Sequence, residues 1–303
     1  MEKVLITGAS GFIGRAITSV AARESDWDVY AVVSGKRDVR FEENVSIVKA
    51  DLTDPSQIEA RLEEIRPDII FHLAWNLGNH GFLASDSNLT WLETSLRIMK
   101  KFVELGGKHF FFAGSSAEYG YSSSICRESD EGQPEDLYGM CKSSFSRVGR
   151  MYCKSNGVTF TAARIFSAYG VGERHVLHIV PSAIDALNRN ERFVCKAPEN
   201  RWDYVYIDDV AEAAVCAVKK RYDGIVNIAS GAPSSIRDLL GTIAAEFGAP
   251  ELIEYREQTG EPRLLLADTT VLTEEIGYKN KVDLQSGIRQ MVDWWKKIND
   301  SQN

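Results

Sequence analysis

Tyr138 and Lys142 lie four residues apart in LYGMCKSSF (137–145), a spacing that puts both on one face of a helix. A phenol beside an ammonium suits proton transfer to or from a substrate oxygen. A free tyrosine titrates near pH 10, too high for fast exchange at neutrality, and a neighbouring cation is expected to lower it. Ser115 lies in a second stretch of interest, AGSSAEYG (113–120). A third stretch, TGASGFIG (7–14), repeats glycine at Gly8, Gly11 and Gly14. Where such a loop leaves a strand and opens a helix, it allows a tight turn and close backbone approach to a pyrophosphate. The helix N-terminus, here Phe12 and Ile13, adds free N–H groups and positive dipole. A bound dinucleotide with a proton donor beside it is the equipment for hydride chemistry.

These residues need a frame, and the hydrophobic pattern supplies one. Residues 3–7, 28–33, 45–48, 68–74, 109–113 and 158–164 are short, nearly continuous apolar runs, as in strands covered on both faces. Between them, 55–65 and 88–105 carry helical spacing. This alternation predicts an α/β fold, a Rossmann-type doubly wound parallel sheet. Beyond about residue 170 the elements become shorter and mixed. Residues 208–220 read as a helix and 224–230 as a strand returning to the sheet. Residues 282–297 read as a helix with Ile288, Met291, Val292 and Trp295 on one face, so Trp294 and Trp295 are read as packing residues. The expected division is a dinucleotide-binding domain over 1–168, rejoined by 204–230, and a smaller, discontinuous α/β substrate lobe made of 169–203 and 231–303.

The 303 residues suffice for a large core, and 44% hydrophobic with 26% charged residues is an ordinary globular balance. A net charge of −8 argues against nucleic acid or an anionic membrane as partner, while leaving room for a small anion held by local cations. No apolar run approaches the ~20 residues of a membrane helix, and no leader-like segment is read before the first strand. Cys126, Cys141, Cys153, Cys195 and Cys216 show no C-x-x-C spacing, so reduced thiols and a cytoplasmic location are expected.

The nucleotide is read from the end of the second strand. NAD sites usually place Asp or Glu there, on the ribose hydroxyls. Here the strand runs into Ser34-Gly35-Lys36-Arg37. The missing acid, with Ser34, Lys36 and Arg37 placed to hold a 2′-phosphate, favours NADP(H) over NAD(H).

In order along the chain, the glycine loop, ADLTD (50–54), FHLAW (71–75), AGSSAEYG, LYGMCK, RIFSAYG (164–170), RWDYVYIDDVAEA (201–213) and VNIASGAPSSIRDL (226–239) form a set. The set resembles the extended short-chain dehydrogenase/reductases, the NAD-dependent epimerase/dehydratase family of nucleotide-sugar enzymes, over essentially the whole chain. The resemblance implies that Tyr138 is the acid/base, Lys142 its partner and a ribose contact, and Ser115 the hydroxyl that orients the substrate oxygen. It implies Asp51 and Leu52 at the adenine, Leu73 and Ala74 beneath the ribose, and Phe166 and Ser167 at the nicotinamide and substrate phosphates. Asn88 opens the helix beside the active-site helix. Trp75, His80, Ser116 and His178 become substrate candidates, with His175 near His178. A homodimer packed through 88–105 and 137–154 is implied as well.

The departures from the family pattern choose among reactions. Members that eliminate water resemble one another in carrying Asp-Glu after the catalytic hydroxyl. This chain has Ser116-Ala117, and Glu118, one position late on a strand-like segment, is expected to face away. The family's arginine on the substrate diphosphate is Trp202 here, which makes Arg201, Trp202 and Arg263 the candidates for phosphate or base. His175 and His178 have no further ligand in view, so no metal is expected. Enzymes that regenerate bound NAD each turnover have no need of the phosphorylated cofactor, whereas a net reductase draws on NADPH. The leading expectation is therefore an NADPH-dependent reductase of a 4-keto nucleotide sugar, with Tyr138 as proton donor. The alternative is a nucleotide-sugar epimerase with tightly bound NAD. Behind both stand a dehydratase and a non-catalytic NADP-binding sensor.

Overall fold

The computed structural model describes residues 1–35, 39–77, 81–120 and 125–300. Strand and helix alternate from the start: β1 (Glu2–Thr7), α1 (Phe12–Ala21), β2 (Trp27–Val33), β3 (Val45–Lys49), α2 (Pro55–Ile65), β4 (Ile69–His72), α3 (Ser87–Glu104) and β5 (His109–Ser115). After these come β6 (Ile125–Cys126), α4 (Leu137–Ser155), β7 (Thr159–Ile165), β8 (Ser167–Tyr169) and α5 (Ile179–Asn188). The C-terminal third holds β9 (Phe193–Cys195), β10 (Arg201–Tyr206), α6 (Ile207–Lys219), β11 (Gly224–Ile228) and β12 (Pro233–Ser235). It closes with α7 (Ile236–Phe247), β13 (Ile253–Tyr255), β14 (Leu264–Ala267) and α8 (Leu284–Asp300).

The main sheet is parallel throughout, with seven strands in the order β11-β7-β5-β4-β1-β2-β3. The doubly wound sheet expected from the hydrophobic pattern is present, and β11 joins it beside β7. Successive residues of a strand point to opposite faces. Val4 and Ile6 of β1 enter one core with Phe71, Phe111, Ile17 of α1 and Val210 of α6. Leu5 enters the other with Ile70, Phe110, Phe112, Leu62 of α2, Met99 of α3 and Phe145 of α4. Helices on both sides are why the strands are apolar without alternation.

Local signals set the element ends. Asp54 accepts from the Ser56 amide ahead of Pro55, a favourable start for α2. Asp136 accepts from the Gly139 amide at 2.7 Å and starts α4. β4 stops at His72, short of the expected 68–74, because the Leu73 and Ala74 N–H groups turn to Thr7 Oγ1 at 3.2 and 3.4 Å. β5 runs two residues further than expected and ends on Ser115.

Beyond the main sheet, β10 pairs with β8, β12 and β14, and β14 pairs with β6. A further core lies there, where α5, α7 and α8 bury Ile184, Leu240, Ile243, Ile288 and Trp295 around Tyr169 and Tyr206. Trp294 packs partly buried on the same cluster. The turn Val271–Ile276 sends Leu272 and Ile276, with Tyr278, into the core of α1 and α6, and Tyr278 donates to Asp209 at 2.7 Å. All five cysteines are free thiols. Among the described residues no helix is long and apolar enough to cross a membrane.

The Phe112 and Phe145 rings, 4.4 Å apart, join β5 to α4 and so support the elements that carry Ser115 and Tyr138. Phe145→Ala is expected to cost about 3–5 kcal/mol in urea unfolding, the usual loss for a large buried aromatic. A loss below about 1 kcal/mol would show that this contact does not anchor α4.

Candidate active site

The strand order reverses at β1, which has β2 on one side and β4 on the other. At such a point the crossovers part and leave a crevice at the C-terminal strand ends. The glycine loop occupies it. Gly8 has φ of 70°, and a Cβ there would lie 2.8 Å from the Ala74 nitrogen. A Cβ on Gly14 would lie 2.0 Å from the Gly8 carbonyl oxygen. α1 therefore starts hard against the loop. Its N-cap is Gly11, without a side-chain cap bond, and its first turn carries no acid. The first-turn N–H groups, with half-buried Phe12 and Ile13, are thus available to an anion in a cradle too tight for side chains. This arrangement fits the pyrophosphate of a dinucleotide.

A buried polar chain fixes the neighbouring strand end. Ser95 Oγ donates to the Trp91 carbonyl at 2.6 Å, so it accepts from His72 Nε2–H at 2.8 Å. His72 Nδ1 is then the acceptor for the Thr7 hydroxyl, also at 2.8 Å. Thr7 in turn takes the Leu73 and Ala74 amides. The ring is neutral in this chain, since burial lowers its pKa to about 3, with the Lys142 charge acting the same way. Sequence reasoning quoted His72 only within a motif. A polar residue inside an apolar strand was the available signal of such a chain.

Ser115, where β5 ends, lies close enough to Tyr138, at the start of α4, for its hydroxyl to act on the phenol. Tyr138 is buried, and burial pushes its phenol up to about 12; the Ser115 hydroxyl opposes this, while Glu118 and Asp136 add to it. Lys142 is 3% exposed and donates to the Ala113 carbonyl at 2.7 Å. Its ammonium lies 4.1 Å from the Trp75 ring centre, 4.7 Å from that of Phe112 and 5.7 Å from that of Tyr138. Burial lowers it to about 7 against the opposing pull of Glu118. The expected depression of Tyr138 by an ammonium one turn away is therefore corrected. Desolvation dominates both groups, and Lys142 is held on a carbonyl and ring faces instead.

The residues around Tyr138 and Lys142 are tied in by further contacts. Trp75 donates from Nε1 to Asn88 Oδ1 at 2.8 Å and meets Tyr138 edge-on at 6.3 Å. Asn88, fully buried, donates to the Phe82 and Ser85 carbonyls. Ser116 is half-buried at the start of a 3₁₀ turn, Ser116–Tyr119, where a strand-like segment was expected. Glu118, in that turn rather than on a strand, curls back to the end of β5. Its Oε1 accepts the Ser115 amide at 2.9 Å, and Oε2 accepts from Ser146 at 3.1 Å and Arg164 at 3.3 Å. Sequence reasoning missed Arg164 and this use of Glu118.

The structure joins the glycine loop, Leu73, Ala74, Trp75, Ser115, Tyr138 and Lys142 through successive contacts. Asp51 and Leu52 are half-buried past β3, where Asp51 accepts from the Thr53 amide at 3.0 Å. Ser34 is exposed at the end of β2. Phe166 is buried with its ring 6.1 Å from Tyr119, and Ser167, half-buried, opens β8. Lys36, Arg37 and His80 lie outside the described residues. Arg201, Trp202 and Arg263 form a second group: the Arg201 amide donates to the Arg263 carbonyl at 2.8 Å, and Trp202 is partly buried against Phe166 and Tyr119. A third place is the head of α5. His178 exposes its ring there and pairs through Nδ1 with buried Glu173, a bond that raises the imidazole above its usual range. His175 lies 4.9 Å from His178, ring to ring.

The NAD dependent epimerase/dehydratase family model matches residues 4–229. A dTDP-L-rhamnose 4-epimerase of Burkholderia thailandensis is 26% identical, over 100% of this chain and 97% of its own. A dTDP-4-dehydro-6-deoxyglucose reductase of Escherichia coli is also 26% identical, over 95% of this chain and 96% of its own. Among solved structures, the Thermus thermophilus UDP-glucose 4-epimerase in complex with NAD superposes with a TM-score of 0.83 at 25% identity, over 97% of this chain and 99% of that one.

The depressed Lys142 pKa has a stability consequence. The unfolded chain binds this proton with a pKa near 10.4 and the folded chain with one of about 7. Between those values the unfolded state carries more protons, so raising the pH stabilises the folded state. Relative to Lys142→Met, the wild type is expected to gain on the order of 1 kcal/mol per pH unit above about pH 7, and nothing below it. Paired urea titrations at about pH 6, 7.5 and 9 check this. A difference constant across that range would contradict it.

Proposed function

Because the chain belongs to the NAD dependent epimerase/dehydratase family, we propose that it is a 4-epimerase of a nucleoside-diphosphate sugar that keeps NAD(H) bound through its cycle. The observation carrying this reading is half-buried Ser115 beside the buried Tyr138 phenol, with the Lys142 ammonium 5.7 Å from the Tyr138 ring centre, at the same strand ends as the glycine cradle. Bound NAD supplies a reversible hydride acceptor at the sugar carbon. Gly8, Gly11 and Gly14, with Phe12 and Ile13, hold its pyrophosphate. Asp51, Leu52, Leu73, Ala74 and Phe166 border its nucleosides, and Lys142 holds a ribose.

Tyr138 Oη takes the proton of the sugar hydroxyl and later returns it, while Ser115 Oγ hydrogen-bonds the same oxygen. The phenol is costly to ionise when enclosed, so a cationic neighbour at the moment of reaction is needed to bring it within range. No water is eliminated, which suits Ser116-Ala117 in place of Asp-Glu and a Glu118 already committed elsewhere. Trp75, Ser116, Ser167, His178, Arg201, Trp202 and Arg263 are the proposed substrate contacts.

Two similarities move the reading away from the reductase favoured by sequence. The Burkholderia relative is a 4-epimerase, and the Thermus structure holds NAD. The NADP(H) preference rested chiefly on the missing acid after β2, with Ser34, Lys36 and Arg37 in support, and Lys36 and Arg37 lie outside the described residues. The reductase remains the second reading, supported by the equal identity to the E. coli 4-keto reductase. Mass spectrometry of the nucleotide released on denaturation is expected to give NAD(H), and epimer interconversion to proceed without net change at the NADH band. NADPH oxidation with a 4-keto sugar nucleotide, and no retained NAD, would establish the reductase instead. In either case Tyr138→Phe is expected to lower kcat by ~10²–10⁴ with nucleotide content intact. Unchanged turnover would remove Tyr138 from the chemistry.

We also propose a homodimer through α3 and α4. Leu89 of α3 and Met140, Val148 and Met151 of α4 are exposed, Met151 by 68%, and the three on α4 share one helical face. Sedimentation is expected to show a dimer for the wild type and a monomer for a Val148→Glu, Met151→Glu double variant. A wild-type monomer would refute the assignment.

A further inference from the structure

Glu118 is a fully enclosed carboxylate near Ser115 and Tyr138, without a part in the proposed proton transfer. Its carboxylate reaches into three elements. Oε1 accepts the Ser115 amide of β5 at 2.9 Å, and Oε2 accepts from Ser146 of α4 at 3.1 Å and from Arg164 of β7 at 3.3 Å. Gly114 makes room for it, since a Cβ there would lie 2.4 Å from Oε1. Arg164, 3% exposed, lies 4.3 Å from the Tyr119 ring centre and donates to the Asp130 carbonyl. A buried ion pair of this kind adds little net stability but specifies geometry when every donor and acceptor is matched.

We propose that Glu118 is a positioning residue: it clamps the end of β5 to α4 and β7, and so keeps the Ser115 hydroxyl on Tyr138. The inference rests on the reading of Ser115 and Tyr138 as the reacting pair. Its carboxylate also raises both Tyr138 and Lys142. Among the described residues, the charged or titratable groups bearing on this region also include Asp136 at the head of α4, His72 of β4 near Lys142, and Tyr119 and Glu128, both acting with Arg164.

The test is Glu118→Gln. An amide accepts on one side only, so its NH₂ must oppose either the Ser115 amide or the Ser146 and Arg164 donors. The expected result is a kcat lower by roughly 10- to 100-fold with KM nearly unchanged, and a pH profile moved to lower pH by loss of the negative charge. Because the lone substitution strands a buried guanidinium, Glu118→Gln with Arg164→Met is the second variant. It is expected to fold with wild-type nucleotide content, yet to keep the kcat loss, and its crystal structure to show Ser115 Oγ displaced from Tyr138. A double variant with wild-type kcat and pH profile, and with Ser115 Oγ unmoved beside Tyr138, would overturn the proposal. If the wild-type protein turned over no nucleotide sugar, the proposed function would fail, whereas the crystal structures would still decide what Glu118 holds.

Discussion

The rest of the structure depends on how closely two backbones approach each other at the end of β1. A single methyl group on Gly14 would collide with the Gly8 carbonyl, and one on Gly8 with the chain leaving β4. With neither present, α1 can begin within the crevice, at the same edge of the parallel sheet where β5 ends on Ser115. The Thr7–His72–Ser95 chain ties the ends of β1 and β4 to α3. The cradle and the proposed reacting pair are thus placed by one packing constraint at the switch point of the sheet.

The second theme is desolvation. Tyr138 and Lys142 are both driven toward their neutral forms by burial, and the ammonium spends its hydrogen-bonding capacity on Ala113 and its field on aromatic faces. Neutral groups near their tipping point respond strongly to a charge placed nearby, because little water is present to screen it. In the proposed chemistry the charge state of the pair follows the redox state of what is bound rather than bulk pH.

Much of this was legible in the sequence, and the reasons differ by level. The parallel sheet showed because burial on both faces leaves uninterrupted apolar runs, which period and length identify. The glycine loop showed because steric exclusion demands one residue type. The sequence also placed Tyr138 and Lys142 on one face, yet predicted the wrong electrostatics. Spacing reports proximity, whereas the pKa depends on enclosure by Trp75, Phe112 and Phe82, which come from distant segments. The place of Glu118 was read from strand alternation, whereas it sits in a 3₁₀ turn, and its partners Ser146 and Arg164 lie 28 and 46 residues further on. The short strands β8, β9, β12, β13 and β14 have three or four residues each and too little pattern to register. They exist because tertiary pairing forms them.

The all-parallel sheet also constrains how this chain can be assembled. Since no two adjacent strands are joined by a hairpin, every pairing must wait for a crossover, and β7 meets its outer neighbour β11 only after some sixty residues of intervening chain. Contacts so remote in sequence slow the search for the native state. A nascent chain that has not yet reached Gly224 leaves β7 as an open edge of buried-type residues, a surface prone to pairing with other chains. The last strand to join is therefore the one that makes the rest safe from aggregation.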